Sequence, residues 1–460
     1  MLAPTPLAVV PLPAALAAAF VGGLIAGALV NWAVYGFAWN RRAISPWGPR
    51  DERAAPRRAT DRLPIAGWWG LRRETPIHGP RFWVRPMVVE LLMGVGWAAL
   101  YWWEVGRQGL LAEQFAALAQ GVLPPGAVEA PTWITIAAFA SHALLVTLMA
   151  AASLIDIDEK LIPDEVTVPG TLLGLTLATL LPMSLLPFAS IRNAAPQVGV
   201  QVVLPAQMNA GGGTLAVEPT TFASPADWPA VLAGPHNINA LAIGLGCYAL
   251  WCFALTPRLM RWRRGLMFGL GVLLARVRRE LARPPLLWIA LAGLAAITAV
   301  WLYDGAAWAG LLTALVGMIG ASALVWAMRI VGSAALRREA LGFGDVLLMM
   351  MIGTFIGWQA GVMVFFLSPF AALLVGLLQL VLRRDDEIYY GPFLCLATLA
   401  VIVRWGHFWN ADTPLQQVFD VWWLVPALLA AAVVLLGAML VLWRNLKEGF
   451  LGHADGEDAP

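Results

Sequence analysis

Cysteine and charged residues are scarce in this chain of 460 residues. Its three cysteines, Cys247, Cys252 and Cys395, lie in apolar segments and form no CxxC pair, so they indicate neither a zinc site nor a disulfide framework. Charged residues make up only 13% of the chain and hydrophobic residues 60%, and the mean hydropathy is +0.73. No soluble protein needs so much apolar surface. The composition therefore predicts a polytopic membrane protein.

A net charge of only +2 gives no sign of a nucleic-acid partner. The chain also lacks a basic stretch before its first apolar run, so we interpret that run as a retained span and not as a cleaved signal peptide. Nearly all the basic residues are arginines, and they form a few blocks between apolar runs. By the positive-inside rule these blocks lie in the cytoplasm. The lipid bilayer is therefore the expected surrounding.

The apolar runs predict about eleven membrane spans, with the amino terminus outside and every Arg-rich loop on one side. The predicted spans are about 7–37, 86–103, 132–155, 166–189, 239–255, 285–303, 307–329, two between 345 and 382 with a break near 357–359, 391–405 and 421–442.

These spans predict three regions. The first, 1–130, is an amino-terminal membrane domain with a cytoplasmic Arg-rich loop at 41–85. The second, 131–410, is a core with an inserted extracytoplasmic loop at 190–236, which carries short strands such as 198–204, and a basic surface segment at 257–284. The third, 411–460, holds the last span and a cytoplasmic tail.

An acidic stretch, residues 153–165, separates the third and fourth predicted spans. Acidic side chains at that depth are costly and usually face a cavity. A second aspartate, Asp345, falls on the same predicted cytoplasmic face as Asp156. It follows Gly342 and Gly344 in a GxGD arrangement, and these glycines leave room for an extended ligand to approach. GxGD alone recurs by chance in a glycine-rich chain, so the prediction depends on the pair of aspartates.

Paired aspartates at a membrane surface have a specific chemistry available to them. Two close carboxylates in a low-dielectric site cannot both ionise, so they share one proton. One carboxylate takes a proton from water as the water attacks a peptide carbonyl, and the protonated partner polarises that carbonyl. This is aspartic-protease chemistry, which requires neither a metal nor a cysteine.

The residues around both aspartates resemble those of the type IV prepilin leader peptidases, which are membrane-embedded aspartic proteases. The first aspartate block of that family is similar to residues 154–158 and 161–169, and the second to residues 342–345 with 353 and 357–358. Its GPF segment resembles residues 391–394. Three further stretches, 27–31, 61–65 and 85–92, resemble the family's GSFLN, DNIPL and RYPLVELL motifs.

This resemblance implies an all-α polytopic fold with a GxGD-type intramembrane protease core. It implies that Asp156 and Asp345 form the catalytic pair. The supporting residues that it implies are Gly342, Gly344, Asp158, Asp164, Gly391 and Pro392. It also implies cleavage of prepilin-like or pseudopilin-like substrates at the cytoplasmic face of the inner membrane, without a metal or cofactor. N-methylation of the new terminus, with S-adenosylmethionine as the donor, is a further expectation.

Three features depart from the family pattern. The loop 41–85 lacks the paired cysteines that bind zinc in many relatives, and Leu347 stands where the family usually has lysine. The stretch between Asp156 and Asp345 is also longer than the family's compact core. These departures leave the protease prediction in place and weaken the expectation of methyl transfer.

Other interpretations of the same residues remain open. The carboxylates could relay protons in a proton-coupled transporter, or hold helices together in a catalytically silent relative. Residues 156–158 could be a DxD metal site, whereas an EF-hand is disfavoured because Leu161 stands where glycine is needed. The two histidines near the membrane, His142 and His407, are expected to be packed or interfacial and not catalytic.

Overall fold

The computed structural model describes most of the chain, and every structural statement below applies to the described residues. They are 11–38, 43–110, 132–191, 200–204, 207–210, 213–216, 220–224, 228–256, 279, 286–336, 341–382, 390–409, 418–419, 421 and 423–454. The predicted basic surface segment, 257–284, lies outside them except at position 279.

Helices dominate the described chain. The α-helices are α1 (Leu12–Phe37), α2 (Ala66–Leu71), α3 (Thr75–His78), α4 (Val84–Tyr101), α5 (Thr132–Glu159), α6 (Asp164–Leu180), α7 (Ile238–Ala254), α8 (Leu286–Tyr303), α9 (Gly305–Leu336), α10 (Phe343–Leu382), α11 (Tyr390–Val403), α12 (Trp405–Phe408) and α13 (Leu424–Ala454). Short 3₁₀-helices cover Ala59–Arg62, Arg72–Glu74 and Pro182–Ser184, and a π-helical turn, Trp102–Gly106, extends α4.

Seven helices in the described part of the chain are long and apolar enough to cross a membrane: α1, α4 with its π-helical turn, α5, α8, α9, α10 and α13. The prediction of a polytopic, mainly helical membrane protein is therefore confirmed. The prediction of about eleven spans also included α6, α7, α11 and the second half of α10. Helices α6, α7 and α11 have 17, 17 and 14 residues, which is shorter than the about 20 residues of a typical spanning helix.

The fourth predicted span, 166–189, is too long. Helix α6 ends at Leu180, and Pro182–Ser184 forms a 3₁₀-helix before a strand begins at Phe188. Proline lacks an N–H group and clashes with the preceding turn, so Pro182 disfavours continuation of the helix. Hydropathy alone gave no sign of this stop, whereas the proline itself is a helix-end signal.

The break predicted near 357–359 is confirmed. Gly357 has a φ of 78° and a ψ of 176° inside α10, a conformation that side chains other than glycine rarely adopt. Gly353 packs on Gly317 of α9, whereas Gly361, eight residues later, packs on Ala321. If α10 were straight and antiparallel to α9, Gly361 would contact a residue nearer the start of α9 than Gly317. It contacts Ala321 instead, so α10 reverses direction at Gly357.

The inserted loop holds short strands, an addition to the predicted all-α fold. A three-stranded antiparallel sheet has the order β1 (Phe188–Ile191), β5 (Thr220–Ser224), β2 (Val200–Leu204), and β3 (Gln207–Ala210) pairs with β4 (Gly213–Ala216). In this sheet Phe188 is opposite Ala223, and Val202 is opposite Phe222. Strand β2 lies within the predicted strand at 198–204.

Small residues allow the helices to pack closely. A Cβ atom at Gly23 would meet the backbone of Met93 and Gly94 in α4, and one at Gly27 would come within 2.5 Å of the Glu90 Cα. These α1 glycines therefore allow α4 to approach closely. Gly174 of α6 likewise faces Thr354 of α10.

We predict that Gly23→Ala lowers the stability of the α1–α4 pair, because its methyl group has no space against the α4 backbone. Overpacking of this kind costs about 1–3 kcal/mol. Thermal unfolding in detergent measures the effect. The control is Gly96→Ala in α4, where no atom lies within 4 Å of an added Cβ. An equal or larger loss in the Gly96 variant would contradict the close packing.

Candidate active site

The first candidate aspartate lies one turn before the end of α5. Asp156 is buried, with only 8% of its surface exposed. Its carboxylate accepts a hydrogen bond from the backbone of Gly391, in the first turn of α11. Backbone N–H groups at the start of a helix have no partner inside that helix, so α11 offers Asp156 a donor and the positive end of its dipole.

The second candidate aspartate is the third residue of α10. Asp345 is 7% exposed and accepts a hydrogen bond from the backbone of Gly342. The charge of Asp156 acts on it. Asp156 thus lies at the carboxyl-terminal end of α5, and Asp345 lies at the amino-terminal end of α10.

One apolar side chain connects the two aspartate sites. Ile162 lies in the link between α5 and α6 and is 4% exposed. A Cβ atom at Gly344 would lie 2.9 Å from the Ile162 Cβ, and one at Gly391 would lie 3.1 Å from the Ile162 Cδ1 and 2.6 Å from the Asp156 Oδ2. The starts of α10 and α11 therefore both rest on Ile162. This brings Asp345 and Asp156 together.

The contact with Ile162 corrects the prediction for Gly344. The space beside Gly344 is filled by this chain's own isoleucine, so Gly344 serves the packing of α10 and not the approach of a ligand. At Gly342 the atom nearest to an added Cβ is the Asp345 Oδ2, at 3.4 Å. Space for a ligand remains a prediction for Gly342 alone.

A positive charge near Asp345 comes from a residue that the sequence reasoning missed. Arg329 of α9 acts electrostatically on Asp345, and its guanidinium lies 5.4 Å from the centre of the Phe343 ring. Leu347, which replaces the family's usual lysine, is 5% exposed and belongs to the apolar core. In the sequence Arg329 only marks the end of a span, so nothing there signalled its position beside the pair.

The other predicted supporting residues lie around the pair without joining it. Asp158 forms a salt bridge with Arg85 at 2.8 Å. Asp164 is exposed in the first turn of α6, where a negative charge suits the helix dipole. Pro392 lies in the first turn of α11, where its missing N–H has no cost. Their functional roles stay predictions.

The three amino-terminal stretches named above meet at one buried carboxylate. Glu90 is 2% exposed. It accepts hydrogen bonds from Asn31 Nδ2 at 3.2 Å, from Trp68 Nε1 at 2.7 Å and from the Ile65 backbone N–H at 2.5 Å. Asn31 also donates to the Pro86 carbonyl oxygen. Glu90 thereby fixes the loop 41–85 to α1 and α4.

Ion pairs hold the loop between α1 and α4 together. Asp61, 2% exposed, accepts hydrogen bonds from Arg73 and from the Arg58 backbone N–H. Glu74, equally buried, lies 3.2 Å from Arg57 and 3.3 Å from His78. The Arg73 guanidinium, together with the Arg58 backbone bond, holds the pKa of Asp61 below its usual range despite its burial.

Zinc, which paired cysteines bind in relatives, does not fit this loop. Residues 41–85 contain no cysteine. Where the loop is described, no group of three metal-ligating side chains occurs. Ion pairs at Asp61 and Glu74 occupy its interior instead.

Another buried acid, Glu104, is remote from the pair. Glu104, in the π-helical turn after α4, contacts His142 Nδ1 of α5 at 2.5 Å, and both side chains are fully buried. The expectation that His142 is packed is confirmed. His407 is exposed in α12 and contacts Phe408, which agrees with an interfacial position.

The fold and the site together define a class: a multi-pass membrane protein with two buried aspartates at the ends of different helices. Residues 278–377 match the model of the type IV leader peptidase family. This match agrees with the resemblance that the motifs indicated. The match contains Asp345 and does not extend to Asp156.

Curated relatives agree with the family match. The chain is 31% identical over 117 residues to prepilin leader peptidase/N-methyltransferase proteins of Aeromonas hydrophila and Aeromonas salmonicida (strain A449). The alignments cover 22% of this chain and 39% and 38% of those relatives, so less than two fifths of each relative's length is matched. No solved structure is a significant match.

The low pKa of Asp61 gives a pH-dependent prediction. A carboxylate whose pKa falls on folding stabilises the fold above its ordinary pKa, 3.8, and this contribution is lost as the pH falls further. Asp61→Asn should therefore speed amide hydrogen exchange in residues 59–78 at pH 7, and the difference from wild type should shrink below pH 3.8. Glu52→Gln, at an exposed glutamate of the same loop, is the control. A difference that is independent of pH would contradict the ion pair's role.

Proposed function

We propose that this protein is a membrane-embedded aspartic endopeptidase that removes leader peptides from prepilin-like or pseudopilin-like substrates. The observation that carries the proposal is the placement of two buried aspartates, Asp156 and Asp345, on either side of Ile162. Each accepts a hydrogen bond from a backbone group, from Gly391 for Asp156 and from Gly342 for Asp345. The family match and the names of the relatives support peptide-bond hydrolysis as the reaction.

The proposed active site faces the cytoplasm. Asp158, two residues after Asp156, bonds to Arg85 at the end of the Arg-rich loop 41–85. The pair therefore lies on the same side as that loop. Because arginines concentrate on the cytoplasmic side of bacterial inner-membrane proteins, we place the pair at the cytoplasmic face of the inner membrane.

The proposed mechanism uses one shared proton. The ionised carboxylate of the pair removes a proton from water, and the water oxygen bonds to the scissile carbonyl carbon. The protonated carboxyl gives its proton to the carbonyl oxygen, which forms a neutral tetrahedral diol. The diol then loses a proton to one carboxylate as the C–N bond breaks, and the leaving nitrogen takes a proton from the other. The pair returns to its starting state.

The backbone donors at Gly391 and Gly342 support this cycle. A hydrogen bond from a fixed N–H stabilises a carboxylate at no cost of reorganisation during the reaction. Burial keeps bulk water away and strengthens these interactions. The Arg329 charge compensates part of the negative charge of the pair.

The names of the relatives also include a second activity, N-methyl transfer. In this chain it would use S-adenosylmethionine as the methyl donor, and no described contact identifies a site for that molecule. Mass spectrometry of a cleaved substrate measures it independently of proteolysis, because a methylated amino terminus is heavier by one methyl group.

We predict that Asp156→Asn and Asp345→Asn each reduce cleavage of a co-expressed prepilin by at least about 100-fold, because each removes one member of the acid–base pair. Substrate processing is measured by mass. Asp304→Asn is the matched control: Asp304 lies between α8 and α9, at the end of α9 remote from Asp345, and has a φ of 59° that asparagine tolerates.

Full processing by either Asn variant would contradict the catalytic assignment. A silent relative or a transporter would leave the prepilin uncut even by the wild-type protein.

A further inference from the structure

Two hydroxyl groups join the reversed half of α10 to the start of α11. The Tyr390 hydroxyl oxygen lies 2.7 Å from the Ser368 Oγ, and Ser368 donates to the Phe365 carbonyl oxygen at 2.9 Å. Ser368 is fully buried and Tyr390 is partly buried. A serine hydroxyl carries one hydrogen. Either hydroxyl can be the donor in the contact between Ser368 and Tyr390.

This contact lies directly beside the first aspartate site. Tyr390 is the first residue of α11, and Gly391 follows it. The Gly391 backbone bonds to Asp156, and an added Cβ at Gly391 would lie 2.6 Å from the Asp156 Oδ2. A small displacement of the start of α11 therefore changes the distance between this donor and the carboxylate.

The polar cross-link is unusual in its apolar surroundings. Neighbouring side chains of the same segments, such as Val364 and Phe393, are buried hydrocarbons. Apolar contacts hold two helices together, but they do not fix the position of one residue along the helix axis as a hydrogen bond does. The Asp345 charge also acts on Tyr390, so the tyrosine lies near both members of the pair.

We propose that Tyr390 and Ser368 are positioning residues that fix the start of α11 and hold the Gly391 N–H against Asp156. The proposed linkage runs from the Phe365 carbonyl through the Ser368 and Tyr390 hydroxyls to the Gly391 backbone and the Asp156 carboxylate. It rests on the proposed peptidase function only for its effect on rate. The effect on the Gly391 amide is independent of cleavage.

The first test is hydrogen exchange at the Gly391 amide in the purified full-length protein. Tyr390→Phe removes one oxygen and keeps the ring, and Ser368→Ala removes the hydroxyl that bonds to Tyr390. Both variants should speed exchange of the Gly391 amide by about tenfold. This factor corresponds to the loss of one hydrogen bond that contributes about 1.4 kcal/mol. The double variant should exchange no faster than either single one, because the two hydroxyls act as a unit.

Two matched controls separate this role from general packing. Tyr248→Phe removes a tyrosine hydroxyl that bonds across helices to the Ile289 carbonyl oxygen at 2.7 Å, remote in sequence from both aspartates. Thr398→Val removes a buried hydroxyl of α11 that bonds inside its own helix, to Leu394. Neither control should change exchange at Gly391. Unchanged exchange in Tyr390→Phe, or an equal increase in Tyr248→Phe, would overturn the proposal.

The second test is cleavage kinetics with a prepilin peptide. Tyr390→Phe should lower kcat by about tenfold and leave KM unchanged, since a misplaced catalytic group can cost up to about 10²-fold in rate. Ser368→Thr keeps a hydroxyl and should restore part of the activity lost in Ser368→Ala.

The kinetic outcomes are distinguishable. A raised KM with unchanged kcat would assign Tyr390 to substrate binding and overturn the positioning role. A wild-type protein that cleaves nothing would refute the proposed peptidase function, while the exchange measurement would still decide the linkage.

Discussion

Two acidic side chains inside a membrane protein must find hydrogen-bond donors without opening the bilayer to water, and this requirement governs the arrangement of the site. Unpaired helix N-termini provide such donors. The start of α11 donates to Asp156, and Asp345 bonds to the Gly342 backbone just before α10. Burial of the carboxylates thus depends on the starts of α10 and α11, which both contact Ile162.

Close packing of small residues brings those ends together. Helix α10 reverses at Gly357 and rests on α9 through Gly317 and Gly353. Glycine is needed at residue 357 for the positive φ and at residues 317 and 353 for the close backbone contact. The packed helices thereby position the two aspartates. The amino-terminal helices join these packed helices through the Arg85–Asp158 salt bridge, and Glu90 fixes the polar loop to them.

Much of this arrangement was predictable from the sequence. Hydropathy predicted the helices, and the break near Gly357 was visible as a polar interruption. The early end of α6 was missed because the apolar run continues to residue 189, although Pro182 is a helix-stop signal within it. Arg329 and the Tyr390–Ser368 contact were also missed. Residues far apart in the chain form these contacts, and single-sequence periodicity carries no information about which helices are neighbours.

The central claim is that the two aspartates share one proton and act as acid and base. The most direct test is the pH dependence of kcat/KM for one prepilin peptide and the purified protein. A shared proton predicts a rate that falls on both sides of a maximum, because one carboxyl must be ionised and the other protonated, and both limbs belong to the pair. A rate that reaches a plateau and stays there through alkaline pH would show that no protonated carboxyl is needed and that the aspartates do not share a proton in catalysis.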